Sequence, residues 1–517
     1  MNDEGRGKFV VVAIIWLMIC AGGVVGWKYF FAPRQKEVVI EQSGSDPRFQ
    51  TQVSMAIDSF SGYAVFRSPE FKEELAKLGI GLNLRDDKAN YPERLKALQK
   101  GEVDLAVFTI DALIAASSQS GESPATIVMV IDETTGADAM VAKKSAVPNL
   151  DALNRADARI VATRGSPSET LARVVMAHFN LPLLDKNPWV DANGSEDVYR
   201  RLMAADAKTP QAFALWEPFV SKALEDPSVA VLIDSSKFRG YIVDVLVVRR
   251  EYLVKEEARV KQFVEAYLRA AHALREQPGG MAALVAADAK QQGEPLTEAQ
   301  AKNLAARIWW KNTQENYAHL GIVSGSDAQG VQHLEEMLRN ITGVLVKTGA
   351  IPRDPTAGQP NKWYYDKLLK KLQEENYHPG LMIAGDTPDK IQAPAALSPL
   401  TEQEWGRLQE VGKLEVESIV FARGTSQLTD QSRQVLDQLC KTLETWPQYY
   451  LLVRGHSRKD GDPEANRLLS EARAKTTAEY IQSKGIGDER VRAVRSEPAG
   501  AGGESQTVSF VLGQKPY

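Results

Sequence analysis

The most ordered set of chemically capable residues lies near the carboxyl end, in Asn466-Arg-Leu-Leu469-Ser470-Glu-Ala472-Arg473-Ala474. Asn466, Ser470, Arg473 and Thr477 recur at three- and four-residue steps, which puts them on one helical face. Such a row is either a solvated face or a recognition surface. Leu469, Ala472, Thr476 and Tyr480 recur at the same steps on another face and predict the buried stripe. A second candidate is Ser166-Pro167-Ser168-Glu169, a capping box with Ser at the N-cap, Pro at N1 and Glu at N3. Nucleophilic and metal chemistry find no support. No Gly-rich phosphate loop, HExxH, CxxC or nucleophile elbow occurs, and the histidines at 178, 272, 319, 333, 378 and 456 have no metal-ligand spacing. No enzyme activity, metal or cofactor is expected.

The elements that position these residues fall into more than one domain, because 517 residues exceed what one core normally holds. With 44% hydrophobic and 25% charged residues the chain is globular, and a net charge of -5 gives no reason to expect nucleic acid. Cys20 and Cys440 form no disulfide framework and read as buried apolar groups. Strand-like runs at 54–57, 80–84, 104–109, 126–132, 139–142, 159–162, 212–215, 229–233 and 242–248 alternate with helical runs such as 69–78 and 92–99. This alternation predicts an α/β fold with mostly parallel sheets, whose ligands sit at strand carboxyl ends against helix N-termini. Prolines at 379, 388, 394 and 399 predict a semi-stiff linker. Beyond it, a short helix near 402–409, a strand over 414–421, a helix over 430–445 and a strand over 449–454 are expected.

Phe9 to Gly26 carries no charge and is followed by Trp27, Tyr29, Phe30 and Phe31. A spanning helix needs roughly 17–25 apolar residues, so this run just crosses, with aromatics at the interface. Ile19 is bulky where a lipoprotein signal before Cys20 wants a small residue, and no convincing cleavage site follows, so an uncleaved anchor is expected. The flanking charges (Arg6 and Lys8 before, Lys28, Arg34 and Lys36 after) leave its orientation open. Flagellar stator subunits share a plan of short tail and membrane helix, but need an ionisable group in the membrane. None lies between Phe9 and Gly26.

Ile419-Val-Phe421, Ser426-Gln-Leu428, Gly455-His456-Ser457, Gly461, Asn466, Leu469-Ser470, Arg473-Ala474, Tyr480, Gly485-Ile486, Arg490-Val491 and Val508-Ser-Phe510 resemble the OmpA-like peptidoglycan-associated family. The resemblance implies a small α+β domain that binds the diaminopimelate part of peptidoglycan through a site including Asn466, Ser470 and Arg473. In that family an arginine on this helix pairs with a ligand carboxylate, as a planar guanidinium favours, and Arg473 holds the position. Where the family carries an Asp for the ligand's ammonium, this chain has Arg458, whose charge repels that group.

Gly62-Tyr63, Arg94-Leu-Lys-Ala-Leu98-Gln-Lys-Gly101-Glu-Val-Asp104, Asp132-Glu-Thr-Thr-Gly136-Ala-Asp138, Ala162-Thr-Arg-Gly165-Ser166, Leu215-Trp216-Glu217-Pro218 and Ile242-Val-Asp244 resemble periplasmic solute-binding proteins of the nitrate, taurine and sulfonate class. The resemblance implies a two-lobed clamshell over 51–377, with a second lobe over about 149–240, after an anchor (1–31) and linker (32–50). The linker 378–400 and the OmpA-like domain 401–517 follow. It also implies that the helix after Ser166 faces the cleft, where free amides and hydroxyls suit an anion; otherwise Ser166 merely starts the helix. Ser59, Tyr63, Thr109, Asp111, Asp138, Ser166, Ser168, Trp216 and Glu217 are the candidate ligand residues. Tyr63 and Trp216 wall the pocket or pack the lobes, and Asp138 and Glu217 accept from a ligand amine or brace the hinge. The expectation is a single-pass inner-membrane protein whose bulk lies in the periplasm, binding a small anionic or sulfonate-like solute and peptidoglycan, with an ABC permease or another envelope protein as partner. The alternative is a scaffold or stress sensor whose clamshell binds a protein.

Overall fold

The computed structural model describes residues 49–515 apart from 121–122, 383–388, 393–396, 458–460 and 499–506. The apolar run 9–26 and Arg458 lie outside the described residues. Among those described, no helix is long and apolar enough to cross a membrane.

Aliphatic and β-branched runs bounded by Gly, Asn and Asp build two sheets. The first contains β1 (Thr51–Ile57), β2 (Ile80–Asp86), β3 (Leu105–Thr109) and β4 (Ala125–Thr134). The chain then crosses into a second sheet made of β5 (Asp138–Lys143), β6 (Arg159–Thr163), β7 (Trp189–Ala192), β8 (Gln211–Trp216) and β9 (Val229–Asp234). It returns through 235–242 to β10 (Val243–Arg249), and β11 (Ile308–Trp310) closes the first sheet's edge. The orders are β11-β4-β10-β3-β1-β2 and β7-β6-β8-β5-β9. The expectation of mostly parallel sheets is corrected: both are mixed, because β10 runs antiparallel to β3 and β4, and β5 to β8 and β9, where the chain crosses between the lobes. Two sheets joined by two crossings make two lobes. The second sheet starts at Asp138, so the expected lobe boundary near 149 falls inside it. All residues of β3 and β4 are buried, as continuous apolar strands covered on both faces should be. β7 and β11 escape sequence reading because runs of four and three residues carry no legible period.

The helices that matter for the site start at strand carboxyl ends. These are α1 (Tyr91–Lys100), ended by Gly101 at φ 71°, α2 (Ile110–Ser120) after β3, and α3 (Pro167–His178) after β6. The long α4 (Glu257–Glu276) covers the first lobe, and α5 (Leu334–Lys347) packs against both α2 and α3 across the lobes.

The C-terminal domain comprises β12 (Gln409–Lys413), α6 (Asp430–Glu444), β13 (Tyr450–Ser457), α7 (Pro463–Ser483), β14 (Val491–Pro498) and β15 (Val508–Gln514), with sheet order β12-β15-β13-β14. The expected strand over 414–421 is displaced: β12 ends at Lys413, and Leu414 forms a lone bridge with Phe179 of the second lobe. The expected buried stripe of α7 is also corrected. Ala472 is exposed and Leu469, Thr476 and Tyr480 are half-buried, whereas Ser470, Arg473, Ala474, Thr477, Ala478 and Ile481 are buried. Small and hydroxyl side chains let the helix sit close on the sheet, and their hydroxyls are satisfied within it: Ser470 Oγ donates to the Arg467 carbonyl and Thr477 Oγ1 to that of Arg473, both at 2.8 Å.

The linker is not free where it is described. Asp389 pairs with His272 and Arg275 (3.0 Å each), the Lys390 carbonyl accepts from Asn312 (2.7 Å), and the Gln392 amide donates to Glu315 (3.0 Å).

The closeness of α7 rests on Gly455, where an added Cβ would lie 2.2 Å from the Ser470 carbonyl oxygen. Gly455→Ala should therefore destabilise the C-terminal domain by about 1–3 kcal/mol, read as a lower urea midpoint for its unfolding. An unchanged midpoint would show that the helix can shift away freely.

Candidate functional site

The carboxyl ends of β1, β3 and β4 and the start of β10 meet at the seam between the lobes. Asp244 lies opposite Thr109 on β3 and opposite Asp132 on β4, so neighbouring strands gather polar side chains at one place. The Tyr63 hydroxyl donates to Asp244. Asp58, after β1, is held by the fully buried Arg94 (2.8 Å), which also binds Asp87 and the Val107 carbonyl (2.6 Å). Gly62 brings the loop backbone against this group, since a Cβ there would sit 2.5 Å from Asp132 Oδ2.

Burial pushes the Asp132 and Asp244 carboxyls upward, and the neighbouring Asp132 raises Asp244 further, so the pair favours holding a proton. Both Asp132 carboxylate oxygens, Asp111 Oδ1 and the Tyr267 hydroxyl are buried without a hydrogen-bond partner. Next along β4, Glu133 behaves in the opposite way: despite burial, Lys311 at 2.7 Å and Arg239 hold it down to about 2. A cation decides the difference.

From the second lobe, α3 points its first turn at the seam. Ser166 Oγ accepts from the Glu169 amide (3.2 Å) and donates to the Thr163 carbonyl (2.7 Å), while Glu169 reaches back to the Gly165 amide (2.5 Å). The cap therefore satisfies itself, which is the structural reading of Ser166. Ser168 donates to Asp138 Oδ1 at 2.5 Å, and Thr170 donates across the seam to Asp111. Burial, with Asp111 and Glu217 nearby, pushes Asp138 up to about 7 despite the Ser168 bond, and burial raises Asp111 as well. The position expected to receive an anion thus holds two buried carboxyl groups. Once ionised they repel an anion, with like charges 4 Å apart costing about 4 kcal/mol at an effective dielectric of ~20.

The remaining candidates divide. Tyr63, Thr109, Asp111, Asp138, Ser166 and Ser168 are buried at or beside the seam, whereas Ser59 is exposed. Trp216 is half-buried, with its backbone tied to Ser195 Oγ. Glu217 braces the hinge: it pairs with Arg307 across the lobes, Arg307 also donates to the Gly136 carbonyl (3.1 Å), and Glu217 accepts from the Ser221 amide (3.0 Å) and hydroxyl (2.8 Å). Sequence reading missed Asp132, Asp244, Thr170 and Arg307 as site residues. The available signal was a charged residue inside an otherwise apolar strand, which Asp132 and Asp244 both are.

A 480 Å³ cavity lies among Thr135, Arg275, Met281, Ile308, Trp309 and Trp310. His272, Glu276 and Asp389 bring ligand-type atoms within 4.8 Å of one another, but Arg275 already supplies a cation to Asp389.

In the C-terminal domain, Arg473 lies over the Phe421 ring (4.9 Å) and its Nε donates to the Thr425 carbonyl (2.9 Å). Buried Ser470 and half-buried Asn466 lie on the same helix, toward its N-terminus, and His456 Nε2 is 2.7 Å from Ser509 Oγ. Residues 420–506 match the OmpA family. This OmpA-like domain is 29% identical over 76 residues to a peptidoglycan-associated lipoprotein of Brucella melitensis, a stretch covering 15% of this chain and 45% of that one. The chain thus spans less than half the length of this curated relative. Among solved structures, the periplasmic aliphatic sulphonate binding protein SsuA of Escherichia coli aligns at TM-score 0.46 and 14% identity, covering 68% of this chain and 97% of that one. The periplasmic nitrate-binding protein NrtA of Synechocystis aligns at 0.46 and 11%, covering 63% and 88%. The sheet topology described above shows a body of two α/β lobes joined by two crossings.

The Asp138 carboxyl gives a pH signature. It ionises near 4 when unfolded and near 7 when folded, so between those values the native state binds more protons. Stability then falls as pH rises from about 4 to 7, by at most a few kcal/mol, and levels off above. Asp138→Asn should melt higher than wild type at pH 8 and show a smaller difference between pH 5 and pH 8 melts. An unchanged difference would place the pH dependence elsewhere.

Proposed function

We propose that this chain is a non-catalytic envelope receptor, a two-lobed solute-binding module joined to peptidoglycan by its OmpA-like domain and to the inner membrane by residues 9–26. The observation that carries the reading is the seam itself. Two α/β lobes joined by two crossings bury polar groups from both sides at one place, in a chain that also carries an OmpA-family match. The name of the Brucella relative supports association with peptidoglycan. Arg473 and the polar row of α7 support carboxylate recognition there.

The solute class follows from charge. Asp111, Asp132, Asp138 and Asp244 offer acceptors, and among the described residues the nearby buried cations are engaged elsewhere, Arg94 by Asp58 and Asp87 and Lys311 by Glu133. An amine, or another cation rich in hydrogen-bond donors, would relieve the burial of these carboxyls; a sulfonate or nitrate would aggravate it. Such a solute would replace Thr170 on Asp111. Delivery to an ABC permease and signalling to another envelope protein both fit this design. The scaffold reading draws support from the direct Asp111–Thr170 contact and from α5 packing on both lobes.

Two measurements test the proposal. In a thermal-shift panel, small amines should raise the melting temperature and Asp111→Asn should remove the effect. Stabilisation by sulfonates or nitrate alone would overturn the cationic reading, and no response to either class would favour the scaffold. In pull-downs with purified sacculi, Arg473→Ala should abolish binding and Arg458→Asp should strengthen it, because Arg458 stands where the family holds an acid for the ligand's ammonium. Undiminished binding by Arg473→Ala would remove that residue from the wall site.

A further inference from the structure

Trp446, just past α6 in the OmpA-like domain, is fully buried, yet most of its aromatic neighbours belong to the clamshell. It stacks on Phe179 (6.0 Å, 11° between planes) and meets His178 and Phe238 edge-on, each at 5.0 Å. Phe238 also contacts Tyr449 at 6.2 Å. Phe179 and His178 end the second lobe's α3, whereas Phe238 lies in the segment that carries the chain back from the second lobe to the first. One indole thus touches both a lobe and the crossing that sets that lobe's angle.

Backbone bonds flank this aromatic cluster. The Arg239 amide donates to the Thr445 carbonyl (2.7 Å), the Asn180 amide to the Lys413 carbonyl (2.9 Å), and the Glu415 amide to the His178 carbonyl (2.8 Å). The Lys413 amide donates to Asp151 Oδ1 (3.0 Å), and Gly412 lies so close that a Cβ would approach Phe179, Asp151 and Leu150 to within 2.9–3.2 Å. A third body joins at the edge, where Lys347 at the end of α5 pairs with Glu415 (2.7 Å). Burial holds His178 down to about 4, so the cluster stays neutral at ordinary pH. Paired backbone, aromatic stacking and full exclusion of water are features of a domain core rather than of a transient contact.

The wall-binding row lies elsewhere on the same domain. Trp446 and Tyr449 precede β13, while Gly455 to Ser457 end it beside Ser470. At ~3.3 Å per residue these two ends are roughly 20–25 Å apart. Docking at one end therefore leaves the other end open.

We propose that the OmpA-like domain is a brace for the clamshell rather than a tethered passenger: seated through Trp446 on α3 and the return crossing, it fixes the angle between the lobes, so that wall binding and lobe movement are mechanically coupled. A wall-bound domain then holds the lobes rigidly, and a change in lobe angle must either break the aromatic seat or move the domain.

Calorimetry on the full chain, with and without sacculus fragments, tests this. Wild type should unfold in one transition that includes the OmpA-like domain, and fragments should shift that whole transition upward. Trp446→Ala should split it into two, with fragments shifting only the OmpA-like one. Phe238→Ala, which leaves the OmpA-like domain unaltered, should give the same split and sacculus binding within about twofold of wild type. Trp446→Phe should largely restore a single transition. Two independent transitions in wild type, or a single fragment-shifted transition in both alanine variants, would overturn the brace.

Discussion

The organisation of this protein turns on carboxyl groups buried at the ends of apolar strands. An ionised carboxylate in a dry interior is unfavourable by several kcal/mol unless a proton, a cation or a set of donors compensates it. Each compensation is present somewhere in the first lobe. Arg94 neutralises Asp58 and Asp87, Lys311 neutralises Glu133, Tyr63 donates to Asp244, and Asp132 shares its site with Asp244. The loop around Gly62, the packing of Arg94 beneath β3, and the donation of Thr170 from the opposite lobe are all arranged around those charges. The seam is therefore a place where a proton and the opposite lobe compete for the same acceptors, and carboxyls ionised there would repel an anion by electrostatics rather than by shape.

The same economy appears at the other end of the molecule. An isolated OmpA-like domain would expose Trp446, and an isolated clamshell would expose Phe179 and Phe238. Joined, they become part of one contiguous apolar core. The second lobe keeps a separate small core on its outer face, around Val161, Val198, Phe213 and Val220. The lobe is thus stable by itself on one side and dependent on its neighbours on the other. Asp389, Lys390 and Gln392 lay the described part of the linker along the first lobe, so the arrangement does not rely on Trp446 alone.

Much was legible from sequence. Nine strands of the two lobes, the cap at Ser166 and the return crossing near 235–242 follow from apolar runs punctuated by Gly, Pro and Asn, which are local signals, and the OmpA-like domain follows from its resemblance to that family. Local signals failed where an element was too short, as at β11, or where another part of the fold decided the outcome. The strand expected over 414–421 lies instead over Gln409–Lys413, where it pairs with β15, and Leu414 bridges to Phe179. The α7 stripe of Leu469, Ala472, Thr476 and Tyr480 yields to Ser470, Arg473 and Thr477 because Gly455 lets a small, hydroxyl-bearing face approach most closely. Periodicity reports that a helix has two faces; it does not report which one the sheet can accept.

The sequence by itself determined the chemistry available: Asp and Ser at strand ends, an arginine in a polar helical row, aromatics scattered through three segments. Only the tertiary structure decided what these residues do. Ser166 caps its own helix, Glu217 finds Arg307, and Asp111 and Asp138 occupy the place expected for an anion, because a charge's role depends on which neighbours remain once water is excluded. Trp446 makes the point most simply. At residue 446 it reads as one more aromatic after a helix, and it is buried at a domain junction because the fold brings residues 179 and 238, far away in sequence, against its ring.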